Sequence, residues 1–167
     1  MATGTALTGK TGANIFLEYS GAVEIGTPKM VISRYSPIAW TYGTLANQCN
    51  LFFQQSASTD NTGVTIDLYT GGGTEKDCFG NLMTMTAIKF LYVKNTHATL
   101  TLAVFSGANA LLVVDGTTDV VEIPPGGEMY WSAPTAAGVV TTTNLNLFLK
   151  CKTADTITYE VVAGGKD

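Results

Sequence analysis

The sequence predicts an all-β protein, either an antiparallel β-sandwich or a jelly-roll-like barrel. Three observations carry that expectation. Apolar and polar residues alternate with period two in several short runs. Thr and Val recur in those runs, and their branched side chains suit a pleated surface. Gly, Pro, Asn and Asp punctuate the gaps between them, and no window shows a capped amphipathic helix.

The elements follow in chain order. Met1 to Gly12 is small, polar and without periodicity, and is expected to form an extended N-terminal arm (residues 1–12) ahead of one β-sandwich domain (residues 13–167). Strands begin at Asn14. Ser36 to Asn47 has room for a short helical turn. Val64-Thr65-Ile66-Asp67-Leu68 alternates, after a turn at Asp60-Asn61-Thr62-Gly63, and Gly71-Gly72-Gly73 marks a loop. Met83 to Val93 is long and its phase slips. Met83 and Met85 fall on one face, and Ile88, Phe90 and Tyr92 on the other. A bulge near Ala87 or Ile88 predicts that slip, as does burial of both strand faces. Leu100 to Val104 alternates again. Asp115-Gly116-Thr117-Thr118 is expected to join Leu111–Val114 to Val120–Ile123 as a hairpin, and Pro124-Pro125-Gly126-Gly127 ends the second strand. Leu145 to Lys152 places three Leu and Cys151 on one face. Ile157, Tyr159 and Val161 close the pattern.

Composition narrows the function classes. The chain has 167 residues, enough for one domain that buries roughly 70% of its unfolded surface without a metal or disulfide. Charged residues are only 13%, about half of the usual ~25%, so part of the surface is expected to face other protein. The net charge is −4 and Arg34 is the sole arginine, which argues against nucleic acid as a partner. No apolar run reaches the ~20 residues that span a bilayer, and Met1 to Thr5 has no signal-peptide pattern. Cys49, Cys78 and Cys151 lack metal-ligand spacing. Cys151 reads as a buried thiol, and a Cys49–Cys78 bridge stays open.

Each catalytic pattern meets a plainer reading. Gly4 to Thr11 matches the phosphate-loop spacing G-x-x-x-x-G-K-[ST], but no strand precedes it and a strand follows it, so no helix N-terminus would meet a phosphate. His97, the sole histidine, falls between two strand patterns and reads as a turn residue without triad partners. Asp67, Asp77, Glu122 and Glu128 are scattered, with no pairing of the kind glycosidases need. The expectation is therefore no catalytic residue, no metal, no cofactor and no small-molecule substrate.

The aromatic residues are the better clue to binding. Trp40 and Tyr42 lie in a Pro-flanked segment, and Trp131 follows the Pro-Pro-Gly-Gly turn. Phe148 points to the polar side of its strand, which predicts a covering element or subunit. Trp40, Tyr42, Trp131 and Phe148, with Thr8 and Lys10 of the arm, are the expected partner or subunit contacts.

Two further segments matter: Leu91-Tyr92-Val93-Lys94-Asn95, then Val121-Glu122-Ile123-Pro124-Pro125-Gly126-Gly127 running into Met129-Tyr130-Trp131-Ser132-Ala133-Pro134. With the closing Thr158 to Gly164, their order resembles small β-rich structural proteins of tailed bacteriophages, of the capsid decoration or cement kind. The resemblance covers roughly Ile88 to Gly164. It implies a virion protein on the capsid surface that binds the major capsid protein lattice and itself, as a homotrimer. The alternative is a carbohydrate- or receptor-binding module of a head fibre or tail, with exposed Trp40, Tyr42 or Trp131 lining its groove.

Overall fold

The structure is a computed structural model that describes residues 8–12, 14–20, 29–35, 37–69, 75–77, 80–105, 120–140 and 146–167. Its strands are β1 (Thr8–Thr11), β2 (Asn14–Ser20), β3 (Lys29–Tyr35), β4 (Ile38–Tyr42), β5 (Gln48–Cys49), β6 (Leu51–Thr59) and β7 (Val64–Asp67). After these come β8 (Ala87–Asn95), β9 (Leu102–Phe105), β10 (Val120–Ile123), β11 (Glu128–Ser132), β12 (Val139–Val140), β13 (Asn146–Cys151) and β14 (Ile157–Lys166). Among the described residues there is no helix.

Two sheets make a sandwich. The larger has the order β11-β8-β14-β6, with β12 also paired to β8, and the smaller has the order β10-β9-β13-β7. Neither closes into a barrel, so the sandwich is the form adopted. Between them lie Phe53, Leu91, Val93, Leu147, Leu149, Tyr159 and Val161, all buried. Each such side chain removed from water contributes roughly 1.5–3 kcal/mol. Cys151 is a buried free thiol in this core, on the inward side of β13 as its strand phase requires.

The turns carry the chain from one sheet to the other. Asp60 to Gly63 joins β6 to β7, and Pro124 to Gly127 joins β10 to β11. In the second, Gly127 N donates to Pro124 O at 2.9 Å and Gly126 takes φ +69°. Pro125 and a positive-φ Gly126 are the residues this turn geometry asks for. Asn95 ties that turn to the next one. Its buried Nδ2 lies 2.7 Å from Leu100 O and 3.0 Å from both Ile123 O and Pro124 O, while its Oδ1 accepts from His97 N. The hairpin expected at Asp115 to Thr118 lies outside the described residues, as does Gly71 to Gly73.

A third layer covers part of the large sheet's outer face. Strands β1, β4 and β5 form a small sheet, with Thr8 to Thr11 paired antiparallel to β4 and β5 parallel to it. The last residues of the expected arm are thus a paired strand. Ser36 to Asn47 holds β4 and a turn rather than a helical turn, because Trp40 must point inward from an extended backbone; Ser36 itself lies outside the described residues. Trp40, Cys49 and Phe90 form the buried centre of this second core. The rings of Trp40 and Phe90 lie 5.4 Å apart, and those of Phe52 and Phe90 5.3 Å apart. Gly164 makes room for them, since a Cβ there would overlap the Phe90 ring. Among the described residues, strands β2 and β3 pair only with each other.

From Ala87 to Leu91, strand β8 is therefore buried on both sides. Its phase slip comes from a bulge at Lys89, because Phe90 faces Gly164 while Ile88 faces Gly165. Ile88 consequently joins Met83, Met85, Leu91 and Val93 in the main core, and Phe90 turns to the second. The sequence placed Ile88 with Phe90 and Tyr92; the bulge, one residue later than expected, separates them. Lys89 is buried, and its Nζ donates to Thr135 O, to Ala136 O at 2.7 Å and to Leu45 O at 3.5 Å. Burial holds its pKa below 10.5, and Lys166 pushes the same way against the opposing effect of Cys49.

One polar chain locks the third layer down. Trp40 Nε1 donates to Thr11 Oγ1 at 2.6 Å, and that hydroxyl also shares a 2.5 Å bond with Tyr130 OH. Thr11→Val leaves the buried indole N–H without an acceptor. It is expected to cost roughly 1–3 kcal/mol, read as a lower denaturant midpoint. Cys49 gives a second test. Burial pushes its thiol from 9.0 up to about 12, with Lys89 pulling weakly downward. The folded chain keeps this proton where the unfolded chain loses it, so the stabilisation is complete below pH 9 and is lost as pH rises towards 12. The stability gap between the wild type and Cys49→Ala should narrow above pH 9 by up to ~1.4 kcal/mol per pH unit; a constant gap would contradict the assignment.

Candidate functional site

Among the described residues the catalytic patterns do not assemble. Thr8, Gly9, Lys10 and Thr11 of the phosphate-loop match lie in β1, where their backbone pairs with β4, and the rest of the match, Gly4 to Leu7, lies outside the described residues. Thr11 Oγ1 is engaged by Trp40 and Tyr130. His97 serves its turn: Nδ1 accepts from Thr99 N at 3.2 Å and from Leu100 N at 3.1 Å.

The four carboxylates are each held locally. Asp67 Oδ1 accepts from Tyr69 N, Asp77 binds Asn81 through both oxygens, Glu122 pairs with Lys152 at 2.7 Å, and Glu128 accepts from Tyr92 OH at 2.8 Å. Asp67 and Glu122 sit on opposite edge strands of the small sandwich sheet, and Glu128 on the other sheet, so these three stand apart. No group of three or more His, Cys, Asp or Glu that could hold a metal occurs among the described residues. Cys49 is a free thiol, so it forms no bridge to Cys78, which lies outside the described residues.

The six expected contact residues separate into different layers. Trp40 is 2% exposed and Trp131 packs against the main core, so both are structural rings. A groove lined by these two tryptophans is therefore not formed. Their indoles are the largest apolar bodies available to fill the two interfaces of the middle sheet. Thr8 opens β1 opposite Thr41. Lys10 is exposed, and Tyr42 is 42% exposed at the end of β4.

Phe148 leads to the most distinctive surface. It lies on the outer face of the small sandwich sheet, half-buried. Val120, Phe105, Phe148 and Thr65 stand in one cross-strand row over β10, β9, β13 and β7. The Phe105 and Phe148 rings meet edge-on at 5.9 Å, and Lys150 Nζ lies 4.3 Å from the Phe105 ring centroid. Gly63, at φ +85°, packs against the Phe148 ring where any side chain would collide. Val120 is 39% exposed at the end of the row. Lys150, Lys152 and Glu122 border it. The result is a half-exposed apolar stripe on the outer face of this sheet, rimmed by charge. Such a stripe can recognise another protein surface by area and shape, with no capacity for bond-making.

Phe148 announced this face in the sequence by falling out of phase with its apolar neighbours. Phe105 and Val120 gave no such signal, because each adjoins inward valines and reads as part of an apolar run. Lys89 has a signal of its own, a lone charge inside Ala87-Ile88-Lys89-Phe90-Leu91 at the point of the phase slip. In comparisons with known proteins, no family model, no curated protein and no solved structure matches this chain.

Proposed function

We propose that this chain is a non-enzymatic virion structural protein, a capsid decoration subunit that binds the major capsid protein lattice and stabilises the shell. The observation that carries the reading is the Val120–Phe105–Phe148 row on the outer face of the small sandwich sheet. A stripe of this kind gains by being covered, and a protein surface covers it at modest cost in charge desolvation. The low content of charged residues supports the same reading.

The resemblance to tailed-phage structural proteins falls on connected parts of the sandwich. Its segments are β8, the β10-turn-β11 corner and β14, with β11, β8 and β14 adjacent in one sheet. A homotrimer on the shell would multiply weak contacts. Many copies on a lattice raise avidity without a stronger single contact, and binding only the assembled shell stabilises it by mass action.

Co-sedimentation with undecorated phage shells tests the reading. The chain should pellet with shells in a saturable manner. Val120→Lys places a charge in the row at an exposed position, where stability should change by no more than about 0.5 kcal/mol. It should weaken shell binding at least tenfold. Equal binding by the variant, or no binding by the wild type, would overturn the proposal.

A further inference from the structure

The outer face of the large sandwich sheet carries a second surface, on the side opposite the Phe148 row. Its side chains form cross-strand rows. Under the third layer lies Ser132–Phe90–Gly164–Phe52 over β11, β8, β14 and β6. Next comes Tyr130–Tyr92–Val162–Gln54, and beyond it Glu128–Lys94–Glu160–Ser56. The third layer ends between the first and second rows. Lys10, Thr11 and Gly12 stand there as a wall, and the hollow of about 250 Å³ at its foot is floored by Phe90, Tyr92, Tyr130 and Val162. At the β6 end of the same rows, Gln54 and Ser56 border a second hollow of about 320 Å³, closed by Lys76 and Asp77.

We infer that this face is a binding site for an uncharged oligosaccharide lying across the strands from Tyr130 and Tyr92 to Gln54. Four features select that class. Two tyrosines directly opposite each other offer half-exposed ring surface to the C–H faces of a pyranose, and Val162 continues that floor. Around them stand hydrogen-bonding groups of both kinds, in Gln54, Ser56, Lys10, Lys94, Glu128 and Glu160. A floor of apolar surface with a few placed polar groups is the usual build of a small-ligand site.

Charge and backbone supply the other two. Lys94 sits between Glu128 and Glu160, so the row selects neither a polyanion nor a polycation. The backbone groups of β8 and β14 are already paired on both sides, so an added peptide strand finds no edge here and recognition must run through side chains. From β11 to β6 is three strand spacings, roughly 14 Å, which suits a chain of a few rings.

Tyr92 is the central residue. Its OH donates to Glu128 Oε2 at 2.8 Å, which fixes the ring in place before any ligand arrives. Burial, then the Glu128 bond, holds the phenol protonated, with its pKa raised to about 12. Tyr130 is fixed likewise through Thr11. Preorganised rings lose little freedom on binding.

The inference does not rest on shell binding, because it uses the opposite face. Calorimetric titration and saturation-transfer NMR of the full chain with maltotriose, cellotriose, chitotriose and mannotriose test it. At least one trisaccharide should bind in the micromolar to millimolar range. Tyr92→Ala and Gln54→Ala should each weaken it about tenfold, and Val120→Lys should leave it unchanged. Melting curves establish that each variant is folded, and Tyr92→Phe, which keeps the ring, should retain most of the affinity. Absence of binding by all four sugars overturns the inference, as does affinity that survives both alanine substitutions. Retention of dextran sulfate in place of the uncharged sugars would assign the face to polyanions and overturn it equally.

Discussion

The fold depends on one constraint, that β8 must bury both of its faces from Ala87 to Leu91. Ile88, Leu91 and Val93 need the small sandwich sheet on one side, and Phe90 needs the Trp40 layer on the other. A strand with a regular repeat could not divide these residues correctly. The bulge at Lys89 does so by adding one residue and reversing the phase. The extra residue carries an ammonium into a buried place, where the carbonyls of Thr135, Ala136 and Leu45 receive it. Those carbonyls belong to the loop between β11 and β12 and to the turn between β4 and β5. The same side chain that resolves the strand phase thus joins the large sheet to the third layer.

Much of this was legible from residue patterns. Period-two runs identify β7, β9, β13 and β14, and the inward place of Cys151 follows from the phase of β13. The turn at Pro124 to Gly127 follows from its residues alone. The phase slip in Met83 to Val93 was visible, and both proposed causes apply, since β8 is bulged and, as far as Leu91, covered on both faces. The position of the bulge was not visible, because it is set by Gly164 and Gly165 on β14, far away in the sequence. The third layer was hidden for a similar reason. Thr8 to Thr11 has no apolar alternation, and its strand pairing with β4 is a long-range fact. The contact residues were read as a set, yet their strand partners place them in separate layers. Periodicity tells which side chains share a face, but it cannot tell which face another sheet covers.

The layering also explains why the two outer surfaces differ. The small sandwich sheet has one packed face, and its outer face keeps a half-exposed apolar row with charges at the rim. The large sheet is the middle layer, but the third layer is narrower than it is. The uncovered remainder holds tyrosines beside paired charges. The first surface suits broad contact with protein and the second a small polar ligand with apolar faces. A subunit seated by the first would present the second outward.

Lysine footprinting on the particle tests that orientation most directly. Free and shell-bound protein would be acetylated briefly and the modified lysines identified by mass spectrometry. Lys150, beside the Phe105 ring, and Lys152, paired with Glu122, should lose reactivity on the shell, while Lys10 and Lys94 on the opposite face keep theirs. Protection of Lys10 and Lys94 with Lys150 and Lys152 still reactive would contradict the account, because the shell would then cover the tyrosine face.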